Sequence, residues 1–163
     1  MGVDTKYLPT ENQSVELLKE LHILTRDGKL NQDTRRKLKQ VQHLLGFIEP
    51  LIRQTALSQA KQDVALRPSV HIVDHGAGKS YLGFLLYDAY FKAGLKNQTQ
   101  GTVTGVETRA ELVEKSSALA KQFGFDGMQF LNASVAESSQ STALPPRIDI
   151  VTALHACDTA TDD

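Results

Sequence analysis

Val70-His71-Ile72-Val73 is a short, β-branched run that ends in an acid, Asp74, and enters a turn carrying two closely spaced glycines, Gly76 and Gly78. Tyr81 to Ala93 then reads as an apolar helix stopped by Gly94. A strand that passes through a tight turn straight into a helix opens a βαβ unit, because a parallel partner strand needs a crossover of about this length. The pattern recurs. Thr102-Val103-Thr104-Gly105-Val106 ends in Glu107, Ala110 to Phe123 forms a helix closed by Gly124, and Met128 to Leu131 is a third strand. A Ser-rich stretch, Ser134 to Pro146, holds one helical turn near Val135-Ala136-Glu137 and leads to a fourth strand, Ile148 to Leu154. Right-handed crossovers put helices on both faces of such a sheet. The fold class is α/β, with no internal repeat.

The first third of the chain is helical. Ser14 caps a helix whose apolar positions Val15, Leu17, Leu18, Leu21 and Leu24 run until Asp27-Gly28. Asn31 or Asp33 caps a second, with Leu38, Val41, Leu44, Leu45, Ile48 and Ile52 in a 3-4 rhythm. Pro50 predicts an interruption, so that two helices meet near Glu49 and the later one reaches about Ala65. Residues 1–66 form an N-terminal helical segment on this reading, and residues 67–163 the part that carries the sheet.

With 18 basic and 19 acidic side chains the net charge is -1, so no global field draws the chain to nucleic acid or membrane. The apolar stretches are far shorter than a bilayer span, and Met1-Gly2-Val3-Asp4 lacks the basic start of a secretory signal. One cysteine, Cys157, cannot form an internal disulfide, which fits a cytoplasmic setting.

Asp74-His75-Gly76-Ala77-Gly78-Lys79-Ser80 allows several readings. A triphosphate-binding P-loop needs a glycine five residues before the Gly-Lys pair, where this chain has Val73 inside the strand. The dinucleotide fingerprint needs a third glycine where Tyr81 stands, and Asp74 would repel a pyrophosphate. A tight βα turn with no ligand is the plain structural alternative. Asp-x-Gly-x-Gly after a first strand resembles motif I of the class I S-adenosylmethionine-dependent methyltransferases, whose cofactor carries an amino group and no phosphate.

That resemblance implies roles for named residues. Asp74, Gly76, Ala77 and Gly78 would meet the methionine part and ribose, Glu107 would accept the ribose hydroxyls, Asn132 would meet adenine, and Leu154 would pack against the cofactor. Glu107 has its own bland reading, a surface acid favoured at the start of a helix. Ala153-Leu154-His155-Ala156-Cys157-Asp158-Thr159-Ala160-Thr161-Asp162-Asp163 resembles a run in one bacterial branch of this family. A similar run occurs in the methyltransferase-like domain of eukaryotic glutathione S-transferase C-terminal domain-containing protein. The segment Asp33 to Val41 shares in the resemblance.

The resemblance implies a Rossmann-like three-layer sandwich preceded by N-terminal helices. It also implies S-adenosyl-L-methionine as cofactor and S-adenosyl-L-homocysteine as product. The family's sheet has seven strands and four are readable here, so the expectation is a sheet truncated after strand four. Its exposed fourth strand invites shielding by a homodimer. The end of strand four faces the methyl group in this family, which makes His155 and Asp158 the candidates for acceptor contact or base. His155 also reads as a packed histidine, and no second pair joins it and Cys157 into a metal site. Between Lys29 and Arg53, six basic residues (Lys29, Arg35, Arg36, Lys37, Lys39 and Arg53) face two acids, Asp33 and Glu49. Arg35, Arg36, Lys37 and Lys39 could touch RNA, although most such runs are solvated helix faces. A non-catalytic Rossmann-like interaction module is the reading from a different class.

Overall fold

Val70, Ile72 and Val73 are all buried in β1 (Ser69–His75), so both faces of this strand are covered, as in a parallel sheet flanked by helices. The computed structural model describes residues 10, 12–95 and 99–154. Within them lie α1 (Val15–Glu20), α2 (Gln32–Gln62), β1, α3 (Tyr81–Leu86), β2 (Gln100–Glu107) and α4 (Ala110–Gln122). β3 (Met128–Asn132), α5 (Val135–Ser138) and β4 (Ile150–Thr152) complete the order. The four strands are parallel, in the order β3-β2-β1-β4. The chain therefore steps outward from β1 to β3 and then crosses back to the other side of β1. That reversal opens a crevice at the carboxyl ends of β1 and β4, where sheets of this kind hold ligands.

The sheet's carboxyl edge is set by register. Asp74 pairs with Gly105 on one side and Thr152 on the other, and Glu107 pairs with Asn132. Gly105 keeps the turn after β1 close, since a Cβ there would lie 2.8 Å from Phe130 and 3.2 Å from Ala77. The backbone N–H of Ala77 donates to the Val106 carbonyl at 3.0 Å, which fastens the turn to β2. One core joins Leu17, Leu18, Leu38, Leu45 and Ile52 of the N-terminal helices to Val70, Phe84 and Val103.

Ser14 caps α1 as its sequence predicts, but the helix stops at Glu20. Leu21, Ile23 and Leu24 stay buried in a turn in which His22 takes φ 55°. Asn31, not Asp33, caps α2, in a reciprocal box with Thr34. The expected break at Pro50 does not occur, and α2 runs unbroken for 31 residues, ending at Gln62. Pro50 takes away the donor for the Gly46 carbonyl, at a position where α2 faces solvent, since Gly46, Phe47 and Pro50 are all exposed. Ile48 and Ile52 lie buried on either side of the proline, and their packing holds both halves on one axis.

The helix expected over Tyr81 to Ala93 is α in its first six residues and then widens into a π turn, Tyr87–Phe91. Asp88 in that turn is fully buried. It accepts from Gln13 Nε2 at 2.5 Å, from the Ser14 N–H at 2.6 Å and from Lys92 Nζ at 2.9 Å. β4 is shorter than expected: Ile148 and Asp149 precede it and Leu154 follows it. No helix among the described residues is long and apolar enough to cross a membrane.

Candidate active site

Two buried carboxylates end the central strands, Asp74 on β1 and Glu107 on β2. A buried carboxylate persists only where donors surround it. Asp74 accepts from the Thr152 hydroxyl at 2.6 Å, so β4 contributes a group to the site. Glu107 Oε2 accepts from the Gly78 N–H at 2.8 Å and Oε1 from the Arg109 N–H at 3.0 Å. The Arg109 side chain closes on the same carboxylate with Nε at 3.0 Å and Nη2 at 3.3 Å, although it is itself 57% exposed. Burial raises the pKa of Glu107, but the hydrogen bonds from Arg109 and Gly78, with the guanidinium charge, outweigh it and hold the group at about 2.

Gly76 and Gly78 both take positive φ, 63° and 56°. This is the left-handed region where a side chain is strained, and it explains two glycines so close together. The turn brings the backbone of residues 76–78 against the ends of β1 and β2 with almost no side-chain bulk. Its Gly78 N–H points at a carboxylate, not outward to an anion, so the loop is not built as a phosphate cradle. Lys79 is exposed at the start of α3.

The sheet thus brings Asp74, Gly76, Ala77, Gly78, Glu107 and Asn132 to one edge. Asn132 is exposed, and its amide Nδ2 donates to the carbonyls of Glu107 at 3.1 Å and Thr108 at 2.7 Å. That leaves its Oδ1 as the atom a ligand could meet. Leu154, past the end of β4, is 37% exposed. His155, Cys157 and Asp158 lie outside the described residues.

Thr152 and Arg109 were not legible as site residues. Thr152 faces Asp74 only through the β1–β4 register, which no local pattern encodes. Arg109 carried one signal, an opposite charge two residues beyond the strand-end acid. His71 Nδ1 lies 2.7 Å from the Thr102 hydroxyl, and the buried Nδ1 of His75 has no hydrogen-bond partner among the described residues.

Comparison with solved structures finds YcgJ from Bacillus subtilis at 20% identity and TM-score 0.41, covering 68% of this chain and 37% of that one. Precorrin-6y C5,15-methyltransferase from Geobacter metallireducens follows at 14% identity and TM-score 0.42, covering 59% and 45%. TrmK of M. capricolum, solved with S-adenosyl-homocysteine, is 16% identical at TM-score 0.42, covering 63% and 38%. The chain therefore spans less than half the length of these proteins. No curated protein matches it by sequence. The model of a methyltransferase domain family matches residues 36–163, and by that match the chain belongs to this methyltransferase family.

Proposed function

We propose that this chain carries the cofactor-binding part of a cytoplasmic S-adenosylmethionine-dependent methyltransferase whose methyl acceptor is unidentified. One observation carries the reading: two buried acids at adjacent strand ends, Asp74 and Glu107, bridged by a positive-φ glycine turn whose N–H meets Glu107. The donor set fits this cofactor. A diol needs a carboxylate acceptor, and Glu107 is held ionised for it. An α-amino group needs a second acid, and Asp74 lies at the switch point beside β4. The positive-φ turn brings the backbone of Gly76, Ala77 and Gly78 toward the ligand with no side chain larger than a methyl group. Asn132 Oδ1 faces adenine and Leu154 packs beside it.

The cofactor, when bound, supplies a methyl group on an electrophilic sulfonium, so the chain's task is orientation and water exclusion. His155 and Asp158, just beyond the carboxyl end of β4, are proposed to meet the acceptor and take its proton. The Leu154–Asp163 run supports placing the chain in the branch with that motif, which includes the methyltransferase-like domain of glutathione S-transferase C-terminal domain-containing protein. The exposed edge of β4 supports pairing with a second copy.

Calorimetric titration of the purified chain with S-adenosylhomocysteine tests the reading. Binding that weakens at least tenfold in Glu107→Ala is expected, since a diol loses a charged acceptor worth about 1.5–3 kcal/mol. No binding at millimolar ligand would leave the non-catalytic interaction module as the better account.

A further inference from the structure

The cations that balance this nearly neutral chain are not evenly spread. Tyr81, in the first turn of α3, lines a cavity of about 230 Å3 between the end of α1, the start of α3 and the outer face of α4. Lys79, Lys115 and His22 line the same cavity from three different elements, against one acid, Glu20. Lys37, from the first turns of α2, places its ammonium 5.8 Å from the centre of the Tyr81 ring. Arg35, Arg36 and Lys39 continue the charge along exposed positions of α2. Among the described residues Arg35, Arg36, Lys37, Lys39, Lys79 and Lys115 form no ion pair, as is also true of Arg26, Lys29, Lys61, Arg67 and Lys121, whereas Lys19, Arg53, Lys92, Arg109 and Arg147 are paired. What sets the six apart is that Lys37, Lys79 and Lys115 gather around one aromatic ring and the others share a helix with Lys37.

The acids on the same elements are fewer than the cations (Glu20 at the cavity, Asp33 and Glu49 on α2, Glu111 and Glu114 on α4), and a local excess of positive charge attracts an anionic ligand. The backbone is also held unusually here. His22 lines the cavity and Ser80 adjoins it between Lys79 and Tyr81; these two are the non-glycine residues with positive φ among those described, at 55° and 60°. Such strain persists where the surroundings over-determine a geometry, and it clusters at binding sites. A buried contact between the Ser80 and Ser116 hydroxyls at 3.5 Å ties the start of α3 to α4 beneath the pocket.

We propose that this rim is a docking site for a single-stranded polynucleotide, with phosphates on Lys37, Lys79 and Lys115 and a base against the Tyr81 ring. Six lysines and arginines, Arg35, Arg36, Lys37, Lys39, Lys79 and Lys115, are more charge than one phosphate neutralises, which favours a strand over a phosphorylated metabolite. An aromatic ring set among cations is the arrangement that holds single strands without reading their sequence. Lys79 follows Gly78 directly, so a strand seated here runs beside the glycine turn. The assignment of that strand as methyl acceptor rests on the methyltransferase reading; its binding does not.

Fluorescence anisotropy of the full chain with a labelled oligouridylate of about 15 nucleotides tests this. Wild type is expected to bind, with affinity falling steeply as sodium chloride rises. Lys37→Glu/Lys115→Glu is expected to weaken binding at least tenfold and to reduce the log–log salt slope by about 0.7 per lost phosphate contact. Tyr81→Leu, which keeps an apolar side chain, weakens binding and leaves the slope unchanged. S-adenosylhomocysteine titration of the same variants is expected to match wild type, which also shows that they fold. Wild-type levels of oligouridylate binding in the Lys37→Glu/Lys115→Glu protein would overturn the proposal. So would equal displacement by uridine monophosphate, which would assign the pocket to a small phosphorylated molecule. Oligonucleotide binding without S-adenosylhomocysteine binding would sink the cofactor assignment and leave this one standing.

Discussion

Glu107 takes hydrogen bonds from Gly78, Thr108 and Arg109 on one carboxylate, and Arg109 alone supplies its N–H, Nε and Nη2. A carboxylate has about four acceptor positions, so a ribose diol bound as proposed would compete with the Arg109 side chain for the same oxygens. The backbone donors of Gly78 and Arg109 belong to rigid elements, whereas the guanidinium is mostly exposed and free to swing out. An ion pair with one exposed partner is worth about 1 kcal/mol. Arg109→Ala is therefore expected to bind S-adenosylhomocysteine about fivefold more tightly, read by calorimetry. The same geometry sets a pH dependence. Because the pKa of Glu107 is lowered from 4.5 to about 2, its contribution to stability is complete above pH 4.5 and is lost as pH falls toward 2. Urea midpoints of wild type and Glu107→Gln should differ at neutral pH and converge through that window; a constant gap would contradict the assignment. At this scale the two acids and two glycines were readable because each has a local reason, a strand end or a positive φ. Arg109 and Thr152 were not, because what matters is the partner they meet.

Asp88 shows how elements are joined. It is fully buried in the π turn that follows α3, and it receives Gln13 and the Ser14 N–H from the segment that starts α1. Lys92 bridges the same groups, donating to Asp88 and to the Asn12 carbonyl at 2.7 Å. Removing one partner of a buried charge network strands the others without water. Asp88→Ala is expected to cost about 3–5 kcal/mol in denaturant unfolding and to expose the α1 segment to proteolysis. Asp88→Asn, which keeps acceptor and shape, should lose less. α2 teaches the opposite lesson about local signals. Its cap and its apolar rhythm were legible, and Asn31 and the buried Leu38, Val41, Leu45, Ile48 and Ile52 match them. Pro50 was legible too, and its implied break was overruled. The burial of isoleucines on both sides of it outweighs one missing hydrogen bond on the exposed face of the helix. The π turn had no sequence signal, since Tyr87 to Phe91 fit an α-helix equally well.

Among the described residues the sheet leaves β4 at an edge, with Ile148, Val151 and Leu154 at 38%, 58% and 37% exposure beside it or on it. Phe47 and Leu51 on α2 are exposed as well, at 63% and 47%. An unpaired apolar edge of this kind recruits a further strand. Light scattering over a concentration series is expected to show self-association, and Val151→Lys should shift it toward monomer by placing a charge on the edge strand. A wild-type chain that stays monomeric at high concentration would count against pairing through β4. The sequence by itself determined the α/β class, the parallel sense of the strands and the acid–glycine–acid order of the candidate site. Those features rest on short-range periodicity and on backbone conformations that only certain residues adopt. Tertiary structure alone decided the strand order β3-β2-β1-β4, the hydrogen bond between Thr152 and Asp74, and the convergence of Lys37, Lys79 and Lys115 around Tyr81. Each depends on which distant segments pack together, and that choice is made by the summed burial of a core to which no single segment holds the key.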